Sequence, residues 1–139
     1  MSKDWVADIA EMHAKYGVNE KVRGFDAEKL RAFLDFRISF LQEELDELKD
    51  NKTNPEEIVD ALVDLCVVAI GTLDAMDVPS HEAWDRVHIA NMSKEVGIKP
   101  SRPNPLGLPD LIKPEGWVAP NHEGLYGLLE NIKIGRAHV

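Results

Sequence analysis

Nine carboxylates crowd into residues 43–64: Glu43, Glu44, Asp46, Glu47, Asp50, Glu56, Glu57, Asp60 and Asp64. Only Lys49 and Lys52 oppose them, so this stretch carries −7 of the formal −9 of the chain. On its own, Glu43-Glu44-Leu45-Asp46-Glu47 reads as a solvated helix face, as most such charge runs are. Asp60 and Asp64 read differently. Their neighbours Ile58, Val59, Ala61, Leu62, Val63, Leu65, Cys66, Val67 and Val68 are apolar nearly all round, the pattern of a mostly buried helix. A buried carboxylate requires a partner or a metal. Two carboxylates about 4–5 Å apart repel by roughly 3–4 kcal/mol at an effective dielectric of 20. A divalent cation is the simplest counter-charge, and all-oxygen ligation favours Mg²⁺ or Mn²⁺.

Other chemistries of acidic bundles are not encoded. Di-iron bundles use two Glu-x-x-His motifs. The nearest string here is Asp85-Arg-Val-His88, once. Neither a Gly-x-x-x-x-Gly-Lys phosphate loop nor a His-Glu-x-x-His zinc motif is present. The single cysteine, Cys66, allows no intramolecular disulfide and no cysteine-based zinc site.

Four helical patterns must position the acids. The first follows Asp4 as N-cap, with Trp5, Ile9, Met12 and Tyr16 on one stripe and Gly17 as stop. The second follows Asp26 and keeps Leu30, Phe33, Leu34, Ile38, Leu41, Leu45 and Leu48 in helical phase to about Asp50. The third has Asn54 as cap, Pro55 at the first helical position and Glu56 and Glu57 in the positive first turn, and runs to about Met76. The fourth is expected from a Ser80 cap to Val96, with Gly97 as the residue after it. Glu43 and Glu47 lie one turn apart, and Glu57, Asp60 and Asp64 share a face by i, i+3, i+7 spacing. The short connection 51–54 implies antiparallel packing, so the two acidic stripes meet. Six of the eight prolines fall in residues 97–139, which excludes a long helix there and predicts an irregular arm, with a short helix near 123–132. The expected architecture is all-α: a four-helix bundle as one domain, with residues 1–96 the catalytic core and 97–139 an arm packing on it or on a neighbouring subunit.

The 139 residues suffice for one domain with a real core. A hydrophobic fraction of 44% is too high for a disordered acidic chain. The net charge of −9 excludes a simple nucleic-acid binder, and docking on anionic membranes as well. The start, Met1-Ser2-Lys3-Asp4-Trp5, has no apolar h-region, and 58–76 is interrupted by Asp60, Asp64 and Asp74. A cytoplasmic protein of a bacterial or phage-infected cell is expected.

Glu43-Glu44-x-x-Glu47 followed by Glu57-x-x-Asp60 resembles the paired EExxE…ExxD metal motif of the all-α nucleoside triphosphate pyrophosphohydrolases. This MazG-like superfamily includes phosphoribosyl-ATP pyrophosphohydrolase and the dimeric dUTPases. Glu57-Ile-Val-Asp60-Ala-Leu-Val-Asp64 and Val87-His88-Ile-Ala-Asn91-Met92-Ser93-Lys94, with Lys113-Pro-Glu-Gly-Trp117 later, resemble its compact phage and bacterial branch. The resemblance covers about residues 26–118. It implies hydrolysis of a nucleoside triphosphate between the α and β phosphates, to the monophosphate and pyrophosphate. It implies that Glu44, Glu47, Glu57 and Asp60 bind two or more Mg²⁺ (or Mn²⁺) ions, and that Glu43 binds or orients the attacking water. Asp64 is either a further ligand or a support for one. Asn91 and Lys94, one turn apart on the expected fourth helix, are candidates for phosphate binding. The alternative for Lys94 is complementing the end of its own helix. Lys99 and Arg102 are further candidates; Arg86 and His88 read as surface. The resemblance also implies a nucleobase pocket near the first two helices, for which Trp5, His13, Phe36, Ser39 and Phe40 are the candidates. At helical spacing such aromatics otherwise read as core.

Three readings compete: a Mg²⁺-dependent (d)NTP pyrophosphohydrolase, expected to take a deoxynucleotide such as dGTP; a non-enzymatic helical module whose acids bind a basic partner; and an enzyme acting on phosphoribosyl-ATP, whose partner motifs are not visible in the sequence. A homodimer or homotetramer is expected, because residues 58–73 are more apolar than three small neighbours can cover.

Overall fold

In the computed structural model the described residues are all except 3, 103 and 139, with the side chains of 133–138 also left aside. Pro103, counted among the arm's prolines, lies outside them. The chain divides into two compact units, residues 81–123 and the remainder.

The larger unit is helical. Its elements are α1 (Trp5–Tyr16), α2 (Val18–Arg23), α3 (Ala27–Asp50), α4 (Pro55–Ala75) and a 3-10 helix (Gly127–His138). The helix starts follow from side-chain caps. Asp4 accepts from Ala7 N, Asp26 from Lys29 N, and Asn54 from Glu56 N and Glu57 N. Gly17 ends α1 in the left-handed region, at φ 69°. Its backbone also starts α2, a short helix between the first two expected from the sequence. α3 and α4 pack against each other, and α1 and α2 pack on α4.

The apolar core sits at one end of the α3–α4 pair. Val22, Leu30, Ala75 and Met76 are fully buried, with Phe25, Phe33, Leu34, Leu128 and Leu129 packed around them. The C-terminal segment closes this end. Leu128 N donates to Met76 O at 2.7 Å, and Arg31 donates to Ile132 O at 2.9 Å. The short helix expected near 123–132 is thus the 3-10 helix, displaced toward the C-terminus. The acids 43–64 occupy the other end, around the connection 51–54.

One expectation needs correction. α4 is not mostly buried within the chain. Its buried residues are the small Ala61, Gly71 and Ala75, whereas Val59, Leu62 and Val63 are 60%, 47% and 44% exposed. The reason is coverage: α3 and α1 take two of its faces and no described element of this unit takes the third.

In the smaller unit, α5 (Ser80–Met92) is followed by an antiparallel pair, β1 (Glu95–Gly97) and β2 (Asp110–Ile112). This corrects the expected helix to Val96. Ser80 is its first helical residue rather than its cap, and its hydroxyl donates to Val78 O. Ser93 N and Lys94 N turn back to Ala90 O and Asn91 O, tightening and closing the last turn. Gly97 is a strand residue opposite Asp110; a Cβ there would meet Ile112 Cδ1 at 2.6 Å.

Candidate functional site

α3 and α4 run antiparallel from the connection 51–54. Their register is visible at Arg37, whose guanidinium donates to Val68 O at 3.1 Å and to Thr72 Oγ1 at 3.0 Å. Seven residues toward the connection from each, two helical turns, Glu44 comes opposite Ala61. Ala61 is 2% exposed, and Asp60 and Asp64 neighbour it on α4.

Glu44 is the inner member of this cluster. Its Oε2 is buried and has no hydrogen-bond partner among the described residues. Burial, the neighbouring charges of Glu47 and Asp64, a side-chain hydrogen bond with Glu47 and the charge of Asp60 hold its carboxyl above the usual carboxylate range. Asp64 weighs on Glu44 more than Asp60 does, and it is half-buried where Asp60 is exposed. Glu43, Glu47 and Glu57 are exposed. The fold therefore brings Glu47, Asp60 and Asp64 within electrostatic reach of Glu44, with Glu57 on the first turn of α4 and Glu43 exposed.

Whether these residues fit a cation is a question of donors and placement. Among the described residues no three His, Cys, Asp or Glu side chains stand in position to enclose a metal ion. The donor chemistry does fit. All candidates are carboxylates, one of their oxygens is buried and unpartnered, and like charges surround it. Hard divalent cations take this kind of ligand set. Glu47 and Asp60 are exposed, so their side chains are not locked by packing.

Among the five nucleobase candidates, His13 borders Gly71 together with Arg37, and Phe40 stands beside the same guanidinium. Trp5, with Ile9, lines a small cleft of about 190 Å³ against Val63, Cys66, Val67 and Ile70 of α4. Phe36 and Phe40 stack at 4.4 Å between ring centroids, and the Ser39 hydroxyl donates to Phe36 O at 2.5 Å. His13 is 5% exposed, and its Nδ1 lies 2.8 Å from Asp74 Oδ2. Asn19 Nδ2 donates to the same carboxylate at 3.2 Å and to Asp74 O at 2.8 Å. This network ties α1 and α2 to the end of α4.

The sequence alone assigns no role to Asp74 or Arg37, and for Asn19 it offers only contact with a base edge, whereas the structure commits its amide to Asp74. Arg37 stands near the Phe33 and Phe40 rings, and desolvation lowers its pKa. Gly71 makes room for it: a Cβ there would meet Arg37 NH2 at 2.6 Å and the His13 ring at 3.5 Å. The signal available beforehand was an arginine in helical phase with Phe33, Leu34 and Leu41, and a glycine inside a helix.

In the smaller unit, Asn91 lies in the last turn of α5 and Lys94 beyond its end. The one-turn spacing of a continuing helix therefore does not relate them; Lys94 N bonds to Asn91 O at 3.2 Å instead. Arg86 is committed to Asn121 O and Glu123 O. Arg102 is paired with Asp110. His88 is exposed. No helix among the described residues is long and apolar enough to cross a membrane.

A comparison with curated proteins gives no match. The family model for phosphoribosyl-ATP pyrophosphohydrolase matches residues 15–91, which contain both acidic motifs, the whole of α3 and α4, and most of α5. The chain belongs to that family, within the all-α NTP pyrophosphohydrolase (MazG-like) superfamily, and is a pyrophosphohydrolase acting on a nucleotide.

Proposed function

We propose that this chain is a Mg²⁺- or Mn²⁺-dependent pyrophosphohydrolase that converts a nucleoside triphosphate, a deoxynucleotide such as dGTP, to its monophosphate and pyrophosphate. The observation that carries the reading is the buried, unpartnered Oε2 of Glu44 among Glu47, Asp64 and Asp60. Such an oxygen is stabilised by a cation, and a triphosphate brings cations with it. Glu44, Glu47, Glu57 and Asp60 would hold two or more ions, with Asp64 a ligand or the support of one. Bound divalent ions neutralise the triphosphate and make water more acidic. Glu43, exposed one residue before Glu44, accepts the proton of the attacking water. The water oxygen bonds to the α-phosphorus while the bond to the bridging oxygen breaks, and pyrophosphate leaves with that oxygen. Asn91 and Lys94 are proposed to bind phosphate.

We further infer a cytoplasmic homodimer or homotetramer in which a second copy covers Val59, Leu62 and Val63. Their exposure supports this, because contiguous apolar faces mark association surfaces.

The second reading keeps the reaction and changes the substrate to phosphoribosyl-ATP; the name of the matching family favours it. One experiment separates the two. The protein is incubated with each of the common NTPs and dNTPs and with phosphoribosyl-ATP, in Mg²⁺, Mn²⁺ or EDTA, and pyrophosphate and monophosphate are measured separately. Equimolar products from a dNTP, absent in EDTA and absent in Asp60→Asn, are expected. Turnover confined to phosphoribosyl-ATP would favour the second reading, and pyrophosphate release that survives both EDTA and Asp60→Asn overturns the metal chemistry.

A further inference from the structure

The β1–β2 ladder pairs Glu95 with Ile112, Val96 with Leu111 and Gly97 with Asp110. Extended by one residue, that register sets Lys94 opposite Lys113. Both ammonium groups stand over a single indole: Lys94 Nζ is 5.4 Å and Lys113 Nζ 5.2 Å from the centre of the Trp117 ring. The ring is held in place because its N–H donates to Ala90 O at 2.9 Å, at the end of α5.

Like charges directly opposite each other across an antiparallel pair are destabilising. The indole face attracts each ammonium but supplies no counter-charge. Among the described residues neither lysine forms an ion pair, although Glu95 adjoins Lys94 and Glu115 lies two residues from Lys113. The arrangement is out of character for a chain of net charge −9. Residues 86–118 carry five basic side chains (Arg86, Lys94, Lys99, Arg102, Lys113) against three acidic ones (Glu95, Asp110, Glu115), and Arg102 already neutralises Asp110. Beside the pair, Ser93, Pro114 and Trp117, with Ile89, Ala90 and Val118, line an open groove of about 850 Å³, which Arg86, Glu115 and Glu123 line as well. A cationic pair next to a groove of mixed apolar and charged lining suits a small organic molecule with an anionic tail.

We propose that Lys94 and Lys113, held together over Trp117, form a metal-independent binding site for the phosphate chain of a small organic phosphate. The choice of phosphate rests on the nucleotide reading above; the convergence of the two cations does not. A purely structural clamp, in which the lysines only pack on the ring, is the competing account.

Trp5→Phe with Trp84→Phe leaves Trp117 as the reporter, since the chain has three tryptophans. Tripolyphosphate, which carries no base, is titrated in EDTA at low ionic strength, and Trp117 fluorescence is followed. A saturable change is expected, weakened about tenfold by Lys113→Gln or Lys94→Gln, kept by Lys113→Arg, and weakened by added salt. No saturable change up to millimolar probe, or an affinity unchanged from that of the parent in either glutamine variant, overturns the site. The emission maximum of Trp117 without probe checks that each variant is folded. Hydrolysis is measured separately in Mg²⁺: if tripolyphosphate binds in EDTA but no nucleotide is cleaved, the function fails and the site stands, and the converse result removes the site alone.

Discussion

Replacing Glu44 by Gln should stabilise the protein in EDTA and cancel its stabilisation by Mg²⁺, so that the order of the two proteins reverses. Glu44 and Glu47 are i, i+3 neighbours, which puts their Cβ atoms about 5–6 Å apart. At an effective dielectric of 20, unit charges at that separation repel by roughly 3 kcal/mol, and solvent around exposed Glu47 and Asp60 reduces each such repulsion to about 1 kcal/mol or less. Half-buried Asp64 adds to it. Neutralising Glu44 therefore relieves about 1–2 kcal/mol, and the new amide can donate to a neighbouring carboxylate. For 139 residues 1 kcal/mol is worth about 3–4 °C in Tm, so a rise of about 3–7 °C is expected in EDTA. The pH dependence has a definite sign. The folded-state pKa of Glu44 is raised, so its contribution to stability is present at low pH and lost as pH rises through the raised range. The gap between Glu44→Gln and wild type should thus close on acidification. With Mg²⁺ at about a hundred times its Kd, wild type should gain about 2.7 kcal/mol and overtake the variant. Thermal unfolding of both proteins in EDTA and in Mg²⁺, at neutral and acid pH, reads all of this. A variant no more stable than wild type in EDTA would refute the like-charge account, and equal stabilisation of both by Mg²⁺ would remove Glu44 from the metal site.

Three further outcomes follow from particular contacts. Asp74→Ala leaves buried His13 without its partner and takes one bond from Asn19; about 2–4 kcal/mol of stability should be lost in urea unfolding, and a His13→Ala, Asp74→Ala cycle should show coupling above about 1 kcal/mol. Arg37→Met should change stability by less than about 1 kcal/mol in the same assay, because Thr72 Oγ1 still donates to Val68 O at 2.7 Å and nothing is orphaned. Gly127→Ala should lose about 2–4 kcal/mol, since φ there is 53° and a Cβ would meet Met76 O at 2.3 Å and Asp77 backbone at 2.6 Å; faster hydrogen exchange at Leu128 N is the local readout.

The sequence by itself determined the helices of the larger unit and the stripe of acids along two of them. Asp4, Asp26 and Asn54 are short-range caps, whose bonds reach two or three residues, and the periodicity of α3 and α4 is equally local. The short connection 51–54 then leaves an antiparallel hairpin as the simple way to bury both apolar stripes, and with it the meeting of Glu44 and Glu47 with Asp60 and Asp64. Only the tertiary structure decided the rest. That one oxygen of Glu44 is buried depends on how α3 meets α4, in the register that Arg37 and Val68 mark. That α5 stops at Met92 and Lys94 joins Lys113 over Trp117 follows from strand pairing across a proline-rich loop. That His13 meets Asp74 depends on a contact between residues 61 positions apart. Pattern along the chain encodes local geometry and which face is apolar; it carries no record of which distant residue completes a hydrogen bond, because that depends on packing distances fixed only when the elements meet.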